Sequence, residues 1–347
     1  MTFSIHRRDL ILGAAALAAT PAFAQDGLAE GLGGVRMPAS ATESELRGLS
    51  PTGGKSYWAS GSKGWLIRGH DERQDAMRIV GAEKLDFRGL HAFDDHHVLA
   101  MSAGPGEASQ LWRTKDGGKT WKRIATNHDP EGFWDSIAFV DKKRGFILGD
   151  PTQGRFTVLY TADGGETWTR LKDEGVPPAA PNEGAFAASN GCVAIGPHGQ
   201  VAFCTGGAGV ARVYVSRGGG GVFVATDTPI LADAASKGAF AVAYDKHGAL
   251  WVCGGDYQKP KAAGVNLARM EPGRVTFEPV AAPAGYLSGV SVRGSTVMAT
   301  GLAGTIVSRK GAPVQRRSEA PMNTVRLSSE KTAVLCGPKG SIGLWRA

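Results

Sequence analysis

Two copies of one eight-residue motif decide the fold of this chain: Thr114-Lys-Asp116-Gly-Gly118-Lys-Thr120-Trp121 and Thr161-Ala-Asp163-Gly-Gly165-Glu-Thr167-Trp168. In each copy the hydroxyl residue and the Asp two positions later can hydrogen-bond backbone N–H groups within one turn. The Gly permits a positive φ angle, and the Trp can be buried against a neighbouring unit. We therefore expect a hairpin turn with a structural role, which we call an Asp box.

A weaker signature extends the repeat along the chain. A degenerate box, Ser216-Arg-Gly218-Gly-Gly220-Gly-Val222-Phe223, follows the two intact ones, and an apolar strand ending in a small residue or a turn recurs seven times. The markers of these strand ends are Ser60, Ser102, Leu148, Thr205, Cys253, Thr300 and Cys336. Successive markers are 36 to 57 residues apart, which suits the roughly 40–50 residues of a four-stranded blade. The sequence predicts an all-β, seven-bladed β-propeller.

The seventh blade has only three predicted strands, at residues 324–327, 333–337 and 342–346. An open outer edge would expose unpaired backbone groups, and Val35-Arg36-Met37-Pro38 belongs to no other blade. We expect residues 35–37 to pair with residues 342–346, so that an N-terminal strand closes the last blade. Residues 25–347 then form a single propeller domain.

The first 24 residues have the features of an export signal. Arg7-Arg8 precedes an apolar stretch at residues 10–19, and Ala22-Phe23-Ala24 fits a small-x-small cleavage site. The stretch is too short to span a membrane. We predict a twin-arginine signal peptide over residues 1–24 and a periplasmic mature protein; a Sec signal with an incidental Arg pair is the alternative.

Composition and charge exclude several classes of protein. The 50 Gly residues follow no G-X-Y period, which excludes collagen. The formal charge is +7, and residues 286–347 hold nine Lys and Arg against two Glu. This basic arc of blades six and seven could contact an acidic protein or a membrane surface, or could simply be solvated. It lacks the interleaved aromatics of a nucleic-acid groove, and no stretch outside the signal is apolar enough to span a membrane.

Four cysteines occur, at positions 192, 204, 253 and 336. Cys192 and Cys204 flank a turn and could come within disulfide range in an exported protein. Twin-arginine substrates usually fold in a reducing compartment before export, which favours free thiols. No pair has zinc-site spacing, so no metal site is predicted.

The motifs resemble those of Asp-box (BNR-repeat) propellers of the photosystem II assembly and stability factor type, whose bacterial branch is often labelled "oxidoreductase". The resemblance covers roughly residues 35–347. It rests on the two boxes and on loop motifs such as Phe87-Arg-Gly-Leu90, Gly149-Asp-Pro151 and Gly254-Gly-Asp-Tyr257. Blades five to seven lack intact boxes. The resemblance implies the fold, whereas function has to be argued from the site.

Strand polarity predicts which loops share a face. With strands labelled a to d from the axis outward, the a–b and c–d turns, including the Asp boxes, emerge on one face (the box face). The b–c and d–a connections emerge on the opposite, loop face, and loops on a rigid scaffold often carry binding residues. The predicted binding residues on the loop face are Glu107, Asp135, Asp150, Arg212, Asp256 and Tyr257. Asp150 and Asp256 each follow a Gly at the end of an inner strand and are the leading candidates; turn formation is the alternative role of each acid.

No nucleophile elbow, phosphate loop or dinucleotide fingerprint occurs in the sequence, so no catalytic residue and no cofactor are predicted. The leading hypothesis is an exported binding or assembly protein that recognises a protein partner, a small molecule or a glycan on the loop face. Acids and aromatics on one face also suit a carbohydrate-binding protein or a glycoside hydrolase. A cofactor-binding oxidoreductase, suggested by the export route, is the third hypothesis.

Overall fold

The computed structural model describes residues 34–216 and 220–347, in which 28 strands form seven four-stranded sheets. Successive strands pair antiparallel, and the sheets form the blades of a ring, as the sequence predicts. No helix within these ranges is long and apolar enough to cross a membrane. The predicted signal peptide and part of the degenerate box, residues 217–219, lie outside the described residues.

Strands a to d of the first four blades have these bounds. Blade one comprises Leu46–Gly53, Ser56–Gly61, Trp65–His70 and Arg73–Arg78. Blade two comprises Phe87–Ala92, Val98–Ser102, Gln110–Thr114 and Lys122–Thr126. Blade three comprises Trp134–Phe139, Gly145–Thr152, Arg155–Thr161 and Thr169–Arg170. Blade four comprises Val193–Ile195, Val201–Cys204, Gly209–Ser216 and Phe223–Ala232.

The other three blades follow the same order. Blade five comprises Lys237–Tyr244, Leu250–Asp256, Leu267–Met270 and Glu278–Pro279. Blade six comprises Gly289–Arg293, Thr296–Gly301, Gly304–Arg309 and Gln315–Ser318. Blade seven comprises Thr324–Ser329, Thr332–Cys336, Ile342–Arg346 and, as strand d, Val35–Arg36. Short 3-10 turns lie at Gly106–Ala108, Asp173–Gly175 and Pro338–Gly340.

The N-terminal strand closes the ring. Val35 lies opposite Trp345 and Arg36 opposite Leu344, and the Trp345 side chain is buried. The ion pair between Arg36 and Glu72, 2.5 Å long, connects the same strand to blade one. The predicted closure of the last blade is therefore confirmed, with a strand of two residues that ends before Met37.

Each Asp box is a closed set of hydrogen bonds. The Thr114 hydroxyl donates to the Asp116 carboxylate at 2.8 Å and accepts the Gly118 N–H at 2.9 Å. Asp116 in turn accepts the N–H and the hydroxyl of Thr120, and these bonds, above all that from the Thr120 hydroxyl, lower the Asp116 pKa to about 2. Asp163 makes the equivalent bonds in blade three and also has a pKa of about 2.

The box Trp residues lie between blades. Strand d begins one residue after each Trp and not at the Trp itself. Trp121 meets Trp58 of blade one edge-on, with ring centroids 6.3 Å apart. Trp168 packs in a cluster that includes Leu99 of blade two. Both Trp side chains are half-buried. The backbone hydrogen bonds of strand d begin only after each Trp, because the Thr that precedes the Trp is still bonded to the box Asp.

All four cysteines are buried free thiols in the structure. The backbone N–H of Cys204 donates to the carbonyl of Cys192 across adjacent strands, at 3.0 Å. Burial raises the pKa of both thiols above the ordinary range. Both therefore contribute to the core in protonated form.

Candidate binding surfaces

Hydrogen bonds between neighbouring loops show which loops share a face of the propeller. The b–c turn of blade two meets the following d–a connection, where the Gly106 N–H donates to the Gly132 carbonyl at 2.9 Å. The Asp-box turns meet the a–b turns instead: the Gly117 N–H donates to the His96 carbonyl at 3.1 Å, and Gly164 donates to Lys143. The Asp boxes and the b–c loops thus lie at opposite ends of the blades.

The acidic residues of the predicted site are spread around the loop face and differ in exposure. Glu107 is exposed at the rim, 3.3 Å from the His128 imidazole. Asp150 accepts the Ala185 N–H at 3.0 Å. Asp256 is largely buried and accepts the Gln258 N–H at 3.0 Å. Asp135 is 1% exposed, beneath the surface. The four acids therefore lie in different environments, from the exposed rim to the buried core.

Arg212 lies in a buried ion pair with Glu183, whose side chain has no solvent-exposed area. Glu183 accepts the Arg212 Nε–H at 2.9 Å, the Tyr214 hydroxyl at 3.1 Å and the Ala180 N–H at 2.8 Å. Burial alone raises the pKa of Glu183, but the bonds from Arg212 and Thr205 outweigh it, and the net pKa is lowered. The pair anchors the connection between blades three and four to blade four.

An aromatic cluster lies near the axis on the loop face. Phe186 stacks on Phe240 with ring centroids 3.9 Å apart, and Tyr286 meets Phe240 edge-on at 4.8 Å. These three rings are buried. Tyr257 packs on the cluster, 6.2 Å from Phe240, and is half-buried. Tyr257 is thus the aromatic member of the predicted site, and part of it is exposed to solvent.

Residues 186–190 cross the propeller axis, a feature that the sequence reasoning missed. The Ala188 carbonyl accepts from Arg47 of blade one at 3.1 Å. Ser189 donates its hydroxyl to Ser288 of blade six and accepts at its carbonyl from Thr324 of blade seven. We call this segment the axial plug.

Asn190 attaches the plug to strand a of blades two, three and seven. Its Oδ1 accepts the Ile137 N–H at 2.8 Å and the Ser136 hydroxyl at 3.1 Å, while its Nδ2 donates to the Leu90 carbonyl at 3.0 Å. The Asn190 carbonyl accepts from Arg326 of blade seven at 3.0 Å. The only sequence signal was a run of small residues, Ala187-Ala-Ser189, followed by Asn190-Gly191 where an alternating strand would be expected.

Above the plug, the channel forms an axial pocket of about 300 Å³ that opens on the box face. Its lining comes from all seven strands a, mainly from their C-terminal halves, which lead to the a–b turns. The lining mixes polar and apolar groups, and its partly exposed apolar residues are Pro51, Ala138, Ala194, Ile195, Ala243 and Val292. Asn190 and Arg326 contribute polar groups. The sequence reasoning did not predict this pocket.

The chain is similar to known propellers in sequence and in fold. Residues 94–208 match the family model "Photosynthesis system II assembly factor YCF48". The photosystem II stability/assembly factor HCF136, chloroplastic, of Arabidopsis thaliana is 41% identical over 70 residues, which are 19% of this chain and 16% of that protein. The match thus spans only a small part of this curated relative.

Solved structures cover most of the chain. The structure of YCF48 bound to D1 peptide has a TM-score of 0.65 at 13% identity and covers 90% of this chain and 97% of that one. YCF48 from Cyanidioschyzon merolae has a TM-score of 0.63 at 14% identity, with coverage of 90% and 99%. The Niastella koreensis GH74 enzyme also reaches 0.63, at 12% identity, with coverage of 90% and 53%. At these identities the likeness shows the fold alone. From its repeats, its ring of blades and these matches, the chain is a BNR-repeat β-propeller similar to photosystem II assembly factors.

Proposed function

We propose that this propeller is a binding protein that holds a polypeptide segment of a partner protein on its loop face. A propeller of the same fold, YCF48, has been solved with a D1 peptide, which supports a peptide-binding role. The observation that favours the loop face is the aromatic cluster of Phe186, Phe240 and Tyr286 with half-buried Tyr257 above it. Aromatic residues on a rigid support are frequent anchors of protein interfaces.

The charges of the loop face would orient such a segment. Exposed acids lie on the connections of blades two to four, at Glu107, Glu131, Asp173 and Glu174. Exposed lysines lie on the b–c connections of blades five and seven, at Lys259, Lys261 and Lys339. Complementary charges set orientation and association rate more than affinity. Exposed Lys172 lies beside these acids and exposed Glu319 lies between blades six and seven, so a segment that carries charges of both signs would fit this face.

Photo-crosslinking from position 257 is expected to capture a partner polypeptide. In one variant a photoreactive phenylalanine analogue replaces Tyr257 on the loop face. In the matched control variant the same analogue replaces Lys142, which is exposed on the box face. Irradiated protein from the native compartment should give a crosslinked polypeptide, identified by mass spectrometry, from position 257 and not from position 142. Tyr257→Ala should weaken binding of the captured partner about tenfold or more, as truncation of an interface anchor does. Crosslinks from position 142 alone, or glycan capture, would reject the proposal.

We also propose that residues 1–24 export the chain through the twin-arginine route, on the sequence features given above. The double variant Arg7→Lys/Arg8→Lys is then expected to accumulate in the cytoplasm, because that route depends on the Arg pair. Cell fractionation and immunoblotting measure the distribution. A Sec signal tolerates the change, so normal periplasmic accumulation of the variant would contradict the proposal.

A further inference from the structure

We propose that the axial pocket on the box face binds a small organic carboxylate, with its apolar body along the channel wall and its charge on Arg326. This site lies on the face opposite the proposed protein-binding surface. It is independent of that function.

Arg326 brings an uncompensated positive charge to the pocket. Its Nη1 and Nη2 donate to the Val325 and Asn190 carbonyls, at 2.9 and 3.0 Å. Both acceptors are neutral, and no ion pair within residues 34–216 and 220–347 includes Arg326. Burial lowers the pKa of Arg326, yet a guanidinium stays charged in proteins. The Arg326 residue is half-buried at the channel, and a partly desolvated charge without a counter-ion is stabilised by a bound anion.

Two other arginines donate to carbonyls of the axial plug, Arg88 to Ala187 and Arg47 to Ala188. Unlike Arg326, each has a carboxylate partner. Arg47 lies 3.4 Å from Glu45, and Arg88 lies 2.7 Å from Asp86. Both of these acids are close in sequence to their partners. Among the axial arginines of the described residues, Arg326 alone lacks a carboxylate within ion-pair distance.

Two serine hydroxyls of the pocket lining can serve as donors. Ser50 and Ser291 each accept a backbone N–H at 3.0 Å, from Ala92 and Leu327, so their hydroxyl protons are available to a ligand. The buried Tyr244 hydroxyl has no partner among the described residues. No carboxylate occurs among the described lining residues. A cation together with hydroxyl donors is the pattern that recognises an anion.

The apolar part of the lining selects the class of anion. Small apolar side chains, among them Ala138, Ala194 and Val292, are partly exposed around the channel, and a volume of about 300 Å³ suits a small ligand. A phosphate group, with two charges and no apolar body, would leave these walls without contacts. A monocarboxylate with a short hydrocarbon chain matches both the single guanidinium and the apolar wall.

Calorimetric titration with hexanoate and with its neutral analogue hexanamide tests the proposal on the full mature chain. Hexanoate is expected to bind at least about tenfold more tightly, since a charge-assisted bond is stronger than a neutral one. An acetyl-Leu-Leu acid, compared with its amide, tests whether a peptide C-terminus can supply the carboxylate instead. Equal affinities for hexanoate and hexanamide, or no binding of hexanoate, would overturn the proposal.

Variants locate the bound carboxylate. Arg326→Met is expected to weaken hexanoate binding about tenfold or more. Because Arg326 also bonds the plug, Val292→Trp provides a second variant that narrows the pocket and leaves the guanidinium in place; it should abolish binding. Arg317→Met, on the outermost strand of blade six, is the control that should leave affinity unchanged. Hexanoate binding retained in Val292→Trp would overturn the proposal, whether or not Arg326→Met folds.

Discussion

Replacing Glu183 by Ala is expected to lower the free energy of unfolding by about 3 kcal/mol, the lower end of the range for breaking a buried ion pair. The Glu183 side chain has no exposed area, while that of Arg212 is 20% exposed and can recover some hydration. The change also removes the acceptor of the Tyr214 and Thr205 hydroxyls. Urea denaturation of wild type and variant at pH 7 measures the difference.

The pH dependence and a double variant separate the charge effect from lost packing. Because the folded-state pKa of Glu183 is lowered, the pair stabilises the fold above the ordinary Glu pKa of about 4.3, and this stability is lost as pH falls through the lower folded-state value. The gap between wild type and Glu183→Ala should therefore narrow below about pH 4. Glu183→Leu/Arg212→Met should recover most of the stability, since apolar replacement of a whole pair is often neutral. A single variant as stable as wild type at pH 7 would refute the argument.

The features predicted from sequence depend on local chemistry. The Asp boxes are formed by residues at most four positions apart, such as Asp116 and Thr120, so the motif predicts a hairpin without tertiary information. The blade number follows from a repeat that can be counted. The closing strand follows from edge-strand chemistry, because an incomplete blade needs a partner for Ile342–Arg346.

The features that the sequence did not reveal depend on contacts between distant residues. Asn190 bonds Leu90, 100 positions away, and Arg326 bonds Asn190, 136 positions away. Arg326 contributes to the charge of the basic arc at residues 286–347, but in the fold it lines the channel. Strand alternation does not distinguish a residue that faces an axial channel from one that faces bulk solvent, because polar side chains are tolerated at both.

The axial plug makes Asn190→Ala strongly destabilising. The Asn190 amide is buried and makes three hydrogen bonds to strands a of blades two and three. Alanine leaves the Ile137 N–H, the Ser136 hydroxyl and the Leu90 carbonyl without this partner. Each buried polar group left unsatisfied costs about 1–3 kcal/mol, so the free energy of unfolding should fall by about 3 kcal/mol or more, measured by urea denaturation.

Hydrogen exchange of individual amides tests whether that loss arises at the plug. In Asn190→Ala the Ile137 amide should exchange faster, because its acceptor is Asn190, whereas the Gly118 and Gly165 amides, held by their Asp-box hydroxyls, should keep their protection. Ser189→Ala removes one plug bond, to Ser288, and should cost only about 1 kcal/mol. If Asn190→Ala unfolded at the same midpoint urea concentration as the wild type, the plug would not hold the inner strands together. Faster exchange spread evenly over Ile137 and both boxes would instead indicate general loosening of the ring.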